Sequence, residues 1–316
     1  MPKSAATTRT MVAVAASLAF GLASSNASAL TISTINTTTG IETVLTNALL
    51  ASGSGVTVVG GSATYQGTNS ADLQQSGTYT GFSLAPSSGS TPTLSLANGI
   101  FLTSGNANIP LTNTVNRFDA SSGSGANAQL GALSASAGGT ETTNDANVLS
   151  FNFNVAAGQT SVSAQFVFGT DEFPTQSVTD IFGFFVDGVN FAKFASGELI
   201  SNTSGNPTNF INNPVGGGLY GIEYNGLTQV FTVTGILGAG NLDGSHTLTV
   251  GVADTSDSIY DSGVFITSLT TGTSTGGGGI DVPPAIPEPE TYALMLVGLA
   301  VLGGVVRRKK QAEKSA

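Results

Sequence analysis

Leu149-Ser150-Phe151-Asn152-Phe153-Asn154-Val155 is the stretch whose reading decides the fold. Large apolar residues alternate with small polar ones, the period-two pattern of a strand with one buried face. Past the Gly158 turn, Val162, Ala164, Phe166 and Phe168 repeat it. Ile181–Val186 and Val189–Phe191 flank Asp187-Gly188, and Ile222–Tyr224 and Leu227–Thr234 flank Asn225-Gly226. Both dipeptides are hairpin signals. Further strands are expected at Val56–Val59, Ala63–Tyr65, Tyr79–Leu84, Gly99–Gly105, His246–Val252 and Val264–Leu269. Many short strands with frequent turns predict an all-β protein, an antiparallel β-sandwich of jelly-roll type. One short N-terminal helix is expected, Glu42–Leu50, capped by Thr39 or Gly40. Asn106–Gly139, rich in Asn, Ser, Ala and Gly, reads as a long loop. The absence of crossover helices excludes a parallel α/β sheet.

Composition narrows the function classes. The 316 residues carry a net charge of −10, and only 9% are charged. Of the nine basic residues, only Arg117 and Lys193 lie between the leader and the tail, and a body so acidic repels nucleic acid. It suits cations, cationic partners or neutral glycans. With no cysteine, thiol catalysis and Cys-based zinc sites are excluded, and an exported chain must be held by its core, its hydrogen bonds or bound ions.

Both ends read as addresses. Lys3 and Arg9, the apolar run Met11–Gly21 and Ala27-Ser28-Ala29 form the n-region, h-region and cleavage site of a signal peptide, residues 1–29, with Leu30 as the mature start. A body over 30–271 is followed by a Gly/Thr/Pro-rich tether over 272–290. The tether ends in Pro287-Glu288-Pro289, and a short apolar transmembrane segment and basic tail occupy 291–316. The apolar run Thr291–Val306 would span about 24 Å as a helix, short of a ~30 Å hydrocarbon core. Arg307-Arg308-Lys309-Lys310 would stay cytoplasmic, leaving Pro287-Glu288-Pro289 on the outer side.

Taken together, Pro287-Glu288-Pro289, the apolar run and the basic cluster resemble a PEP-CTERM sorting tail. That resemblance implies export across the inner membrane of a Gram-negative bacterium and processing by an exosortase-type membrane protease. The body is similar to the choice-of-anchor L domain. The similarity is carried by Asn47–Leu50 with Gly55–Val58, Gly99–Gly105, Asp145–Phe151, Phe166–Pro174, Asp180–Phe185 and Ala253–Phe265. Asp171 stands where that family has Glu, and Thr179 where it has Asn. The resemblance implies a surface or matrix module and specifies no reaction.

Three acidic groups are candidate sites: Asp171-Glu172 after one strand, Asp180 before the next, and Asp254, Asp257 and Asp261 in one loop. Carboxylates this dense repel one another unless a cation or protons intervene, and hard oxygen donors on loops suit Ca²⁺. An EF-hand is excluded because the central Gly and closing Glu are lacking. The competing explanation is that Asp caps turns through backbone hydrogen bonds. Two carboxylates could also serve a glycoside hydrolase, but the chain has no Trp on which to stack a sugar. Gly272–Gly276 fits G-x-S-x-G and Gly216–Gly221 fits G-x-G-x-x-G, yet neither has the strand-turn-helix context its chemistry needs. His246, the single histidine, reads as a polar residue at a turn edge.

The expectation is therefore a non-enzymatic envelope or matrix protein, adhesive or structural, associated with biofilm or extracellular polysaccharide. The alternatives are a calcium-dependent glycan-binding module and, further off, a carboxylate hydrolase. Expected partners are the processing protease, matrix polysaccharide or proteins and, transiently, the inner membrane.

Overall fold

The computed structural model of the protein describes residues 29–281, apart from 51–52, 89–90, 137, 140–141, 175–179, 202–206, 239–243 and 277. The signal peptide, the Pro287-Glu288-Pro289 motif and the C-terminal apolar segment lie outside the described residues. Among the described residues no helix is long and apolar enough to cross a membrane.

Two antiparallel sheets face each other. The larger runs through Thr31–Thr34, Ser76–Thr80, Gly99–Thr103, Ser262–Thr267 and Ser161–Thr170 to Gly226–Thr228 and Phe210–Asn212. The lower half of Ser161–Thr170 also pairs with Phe231–Ile236 and Thr270–Gly272. The smaller sheet orders Val189–Asn190, Ile181–Val186, His246–Thr255, Thr143–Val155 and Val56–Val58. The stretch that opened the sequence reading is thus the lower part of a 13-residue strand. Leu149, Phe151 and Phe153 point into the core between the sheets, where they meet Phe166, Phe168, Phe182, Phe184, Val250 and Val264.

Several strands are apolar on both faces because both are covered. Val167 and Phe265 point away from the main core into a second one with Phe101, Tyr79, Phe82 and Tyr224. Phe265 stacks on Phe101 at 4.1 Å between ring centroids. Ile181 and Phe185 join a third cluster with Leu130 and Leu133.

That third cluster corrects one expectation. The Asn106–Gly139 segment is not all loop: Ala128–Ser136 is a helix. The Asn127 side chain caps it, its Oδ1 accepting from the amides of Gln129 and Leu130 at 3.0 and 3.1 Å. Asn at this position satisfies two otherwise orphaned donors. A Cβ on Gly183 would stand 3.0 Å from Leu130 Cδ2 and 2.3 Å from Phe185 Cε2, so glycine lets the helix settle on the sheet. The expected helix is Ile41–Leu49, with Gly40 at its N-cap at φ +75°.

Asp187-Gly188 makes its hairpin with φ of +51° and +80°, joining Val186 to Val189. Asn225-Gly226 does not: Gly226–Thr228 pairs with Phe210–Asn212, and Ile222–Tyr224 is no strand. Part of the stretch read as a tether also belongs to the body, since Gly279–Asp281 pairs with Thr232–Thr234.

Candidate functional site

One pole of the sandwich collects the acidic residues, and strand register explains why. In the smaller sheet Ile181 pairs with Ala253, so Asp180 and Asp254 come next on neighbouring strands. Ile181 and Ala253 face outward into the third cluster, which turns Asp180 and Asp254 inward. In the larger sheet Ser262 pairs with Thr170, and the Asp171 amide donates to the Asp261 carbonyl at 3.2 Å. Strands from both sheets therefore end in carboxylates at the same level.

The side chains are hidden from water: Glu172 and Asp180 are 1% exposed, Asp254 and Asp261 0% and Asp171 4%. They differ in what satisfies them. Asp171 accepts from the amides of Phe118 and Asn225. Asn225, read from sequence as a hairpin turn, is instead the buried donor that holds Asp171. Glu172 Oε2 accepts from the Asp180 amide at 2.7 Å, and Asp180 Oδ2 from the Ser262 hydroxyl at 2.6 Å, a bond that crosses between the sheets. Glu172 Oε1, Asp180 Oδ1 and all four oxygens of Asp254 and Asp261 have no hydrogen-bond donor among the described residues. The Ser104 hydroxyl lies near Asp254 and the Ala120 amide near Asp261. Both ease the charge without well-aligned bonds.

Burial is the main reason that every one of these carboxyls is pushed above its ordinary pKa. Asp171 and Asp261 rise to about 8. Glu172 and Asp180 rise together, burial first and their neighbours' charge second. Asp254 rises through burial and then the charge of Asp180. Among the described residues no cation answers them: the Arg117 guanidinium sits 4.7 Å above the Tyr260 ring, and Lys193 is exposed.

Asp257 does not join the group. It is half-buried, and its Oδ1 accepts from the Ile259 amide at 3.2 Å, a turn cap. Asp261 lies against Gly105, where a Cβ would stand 1.6 Å from Oδ2, so that approach requires glycine. Among the described residues no three His, Asp or Glu side chains form a ready coordination shell.

Two further polar sites were not foreseen. Glu223, 1% exposed, accepts from the Thr112 and Thr114 hydroxyls and the Thr114 and Val115 amides. Although burial raises its pKa, those bonds carry it below the ordinary value. His246 is no turn-edge residue: it is fully buried, and its Nδ1 lies 2.8 Å from Oδ2 of Asp187, in the turn at the end of the neighbouring strand. Asp187 is at φ +51°, and its side chain also accepts from the Thr247 and Gly238 amides.

Beside Asp171 opens a cavity of about 170 Å³, lined among others by Asn116, Arg117, Phe173, Asn212 and Asn225.

The structure defines the class by its fold: a two-sheet antiparallel β-sandwich with a closed acidic pole. Residues 31–270 match the choice-of-anchor L domain, and the chain belongs to that family. Residues 285–310 match the PEP-CTERM protein-sorting motif. Comparison with curated proteins and with solved structures gives no match.

Proposed function

We propose that the exported domain is a non-enzymatic adhesive or structural module of the cell surface or matrix, acting with extracellular polysaccharide. The sorting motif marks the chain as an exosortase substrate attached to the envelope. One observation carries the rest of the reading: the most perturbed carboxyls are closed to solvent, at 0–4% exposure. A hydrolytic pair must flank a sugar and admit water, so these groups are better suited to holding the sandwich together than to touching a substrate. A strain lacking the chain is expected to retain less polysaccharide and to form thinner biofilm, restored by the full-length gene. Unchanged retention and biofilm would sink the reading. Processing is checked separately by mass spectrometry of the mature chain, which should end upstream of Arg307.

The calcium-dependent glycan-binding alternative is favoured by the cavity beside Asp171, whose Asn side chains, Arg117 and Phe173 offer hydrogen bonds and a ring face to a sugar. A glycan array with and without Ca²⁺ separates the two readings.

A further inference from the structure

We propose that the cavity beside Asp171 binds a uronic acid, the carboxylate-bearing sugar of an acidic polysaccharide, with Arg117 reading the charge. The proposal rests on the polysaccharide reading above and names the site and the class of sugar.

Arg117 is the first support. It is the one arginine among the described residues, it is exposed, and it lines the cavity. In a chain of net charge −10 carboxylates are plentiful, yet among the described residues none is in ion-pair reach of it. Its guanidinium lies instead 4.7 Å above the Tyr260 ring. A ring contact holds the cation but supplies no acceptor oxygens. The planar N–H fork therefore stays available, and it matches the two oxygens of a carboxylate.

The rest of the lining supplies sugar chemistry. Asn116, Asn212 and Asn225 bring amide side chains that donate and accept, as sugar hydroxyls require, and Phe173 brings apolar surface. At about 170 Å³ the cavity is smaller than the roughly 300–1,000 Å³ of clefts for drug-sized ligands, which suits one sugar ring of a chain that continues into solvent. Asp171 ties the walls together. Its oxygens accept from the amides of Phe118 and Asn225, and the Phe118 carbonyl accepts from the Asp261 amide at 3.2 Å. Arg117 and Asn225 are thus positioned before a ligand arrives, which lowers the ordering cost of binding.

The surrounding charge tolerates an anion. Burial raises Asp171 to about 8, so at neutral pH it is mostly uncharged. The other carboxyls that act on it, Asp119, Glu223 and Asp261, do not line the cavity. Among the described residues no group of three His, Asp or Glu side chains could hold a metal ion, so the guanidinium is the positive group on offer.

The test uses the processed chain at pH 7 in EDTA, first on a glycan array and then by isothermal titration. The probes are oligosaccharides of glucuronic, galacturonic, mannuronic and guluronic acid, each beside its methyl ester. At least one acid should bind, and its ester should bind about tenfold or more weakly. Arg117→Gln should lose a similar factor for the acid and none for the ester, while Arg117→Lys, which keeps the charge without the fork, should lose less. Asn212→Ala should weaken both ligands. Lys193→Gln, which removes a positive charge elsewhere on the surface, should change neither. Binding of none of the acids, equal binding of acid and ester, or unchanged affinity in Arg117→Gln would overturn the proposal. The polysaccharide reading fails separately, through unchanged retention in the strain lacking the chain.

Discussion

Glu223 and Asp254 are equally hidden from water and are held in opposite ways. Glu223 has four donor groups on its two oxygens, at 2.5 to 3.0 Å, and its pKa falls below the ordinary value. Asp254 has none among the described residues, and its pKa rises. Burial penalises the charged form in both; four donors outweigh it at Glu223, whereas at Asp254 the charge of Asp180 adds to it. One carboxylate is finished by the fold as a structural acceptor, while the other is left needing a proton or a cation.

That contrast is open to attack, first by deletion. Glu223→Ala strands the Thr114 and Val115 amides and should cost about 3 kcal/mol in denaturant unfolding. Asp254→Asn in EDTA should stay within about 1 kcal/mol of wild type, because the charge removed has no donor to lose. Equal losses would erase the distinction. Next in size is the pair that links the exposed Asp187 turn to buried His246. Asp187→Ala leaves His246 Nδ1 without its partner and should cost about 1.5 kcal/mol in the same measurement.

A pH series should show carboxyls whose pKa falls on folding and those whose pKa rises as opposite slopes. The folded pKa of Glu223 lies below its unfolded value. Its contribution is complete above about pH 4.3 and is lost as pH falls through the folded pKa. Asp171 is raised to about 8, so its contribution is complete below its unfolded pKa, near 3.9, and is lost as pH rises through about 8. Glu223→Gln should flatten the acid limb alone, as followed by melting temperature. The smallest effect is expected at Asp257→Asn, within about 0.5 kcal/mol, since that side chain only caps a half-exposed turn.

The strands were legible because their information is local. The alternation from Leu149 to Val155 and the Asp187-Gly188 turn each specify their own conformation. The Ala128–Ser136 helix escaped because Gly131, Ser134 and Ser136 are weak helix formers and interrupt its Ala and Leu residues. Its signal was Asn127, a good cap buried in loop-like composition. Asn225-Gly226 misled for another reason: the same dipeptide that turns a hairpin can spend its donors on a distant carboxylate, here Asp171 at a separation of 54 residues.

Sequence alone determined the address, the sandwich class and the excess of carboxylates without cations. Each follows from composition or from patterns within a dozen residues. Only the tertiary structure decided which carboxylates matter. Asp254 and Asp257 are three residues apart in one chain segment, yet the first is sealed between sheets and the second caps a turn. Glu223 is finished by Thr114, 109 residues away, and one oxygen of Asp180 is held by Ser262, 82 residues away. Burial and donor supply are set by strand register and sheet packing, which bring together groups that no local pattern links.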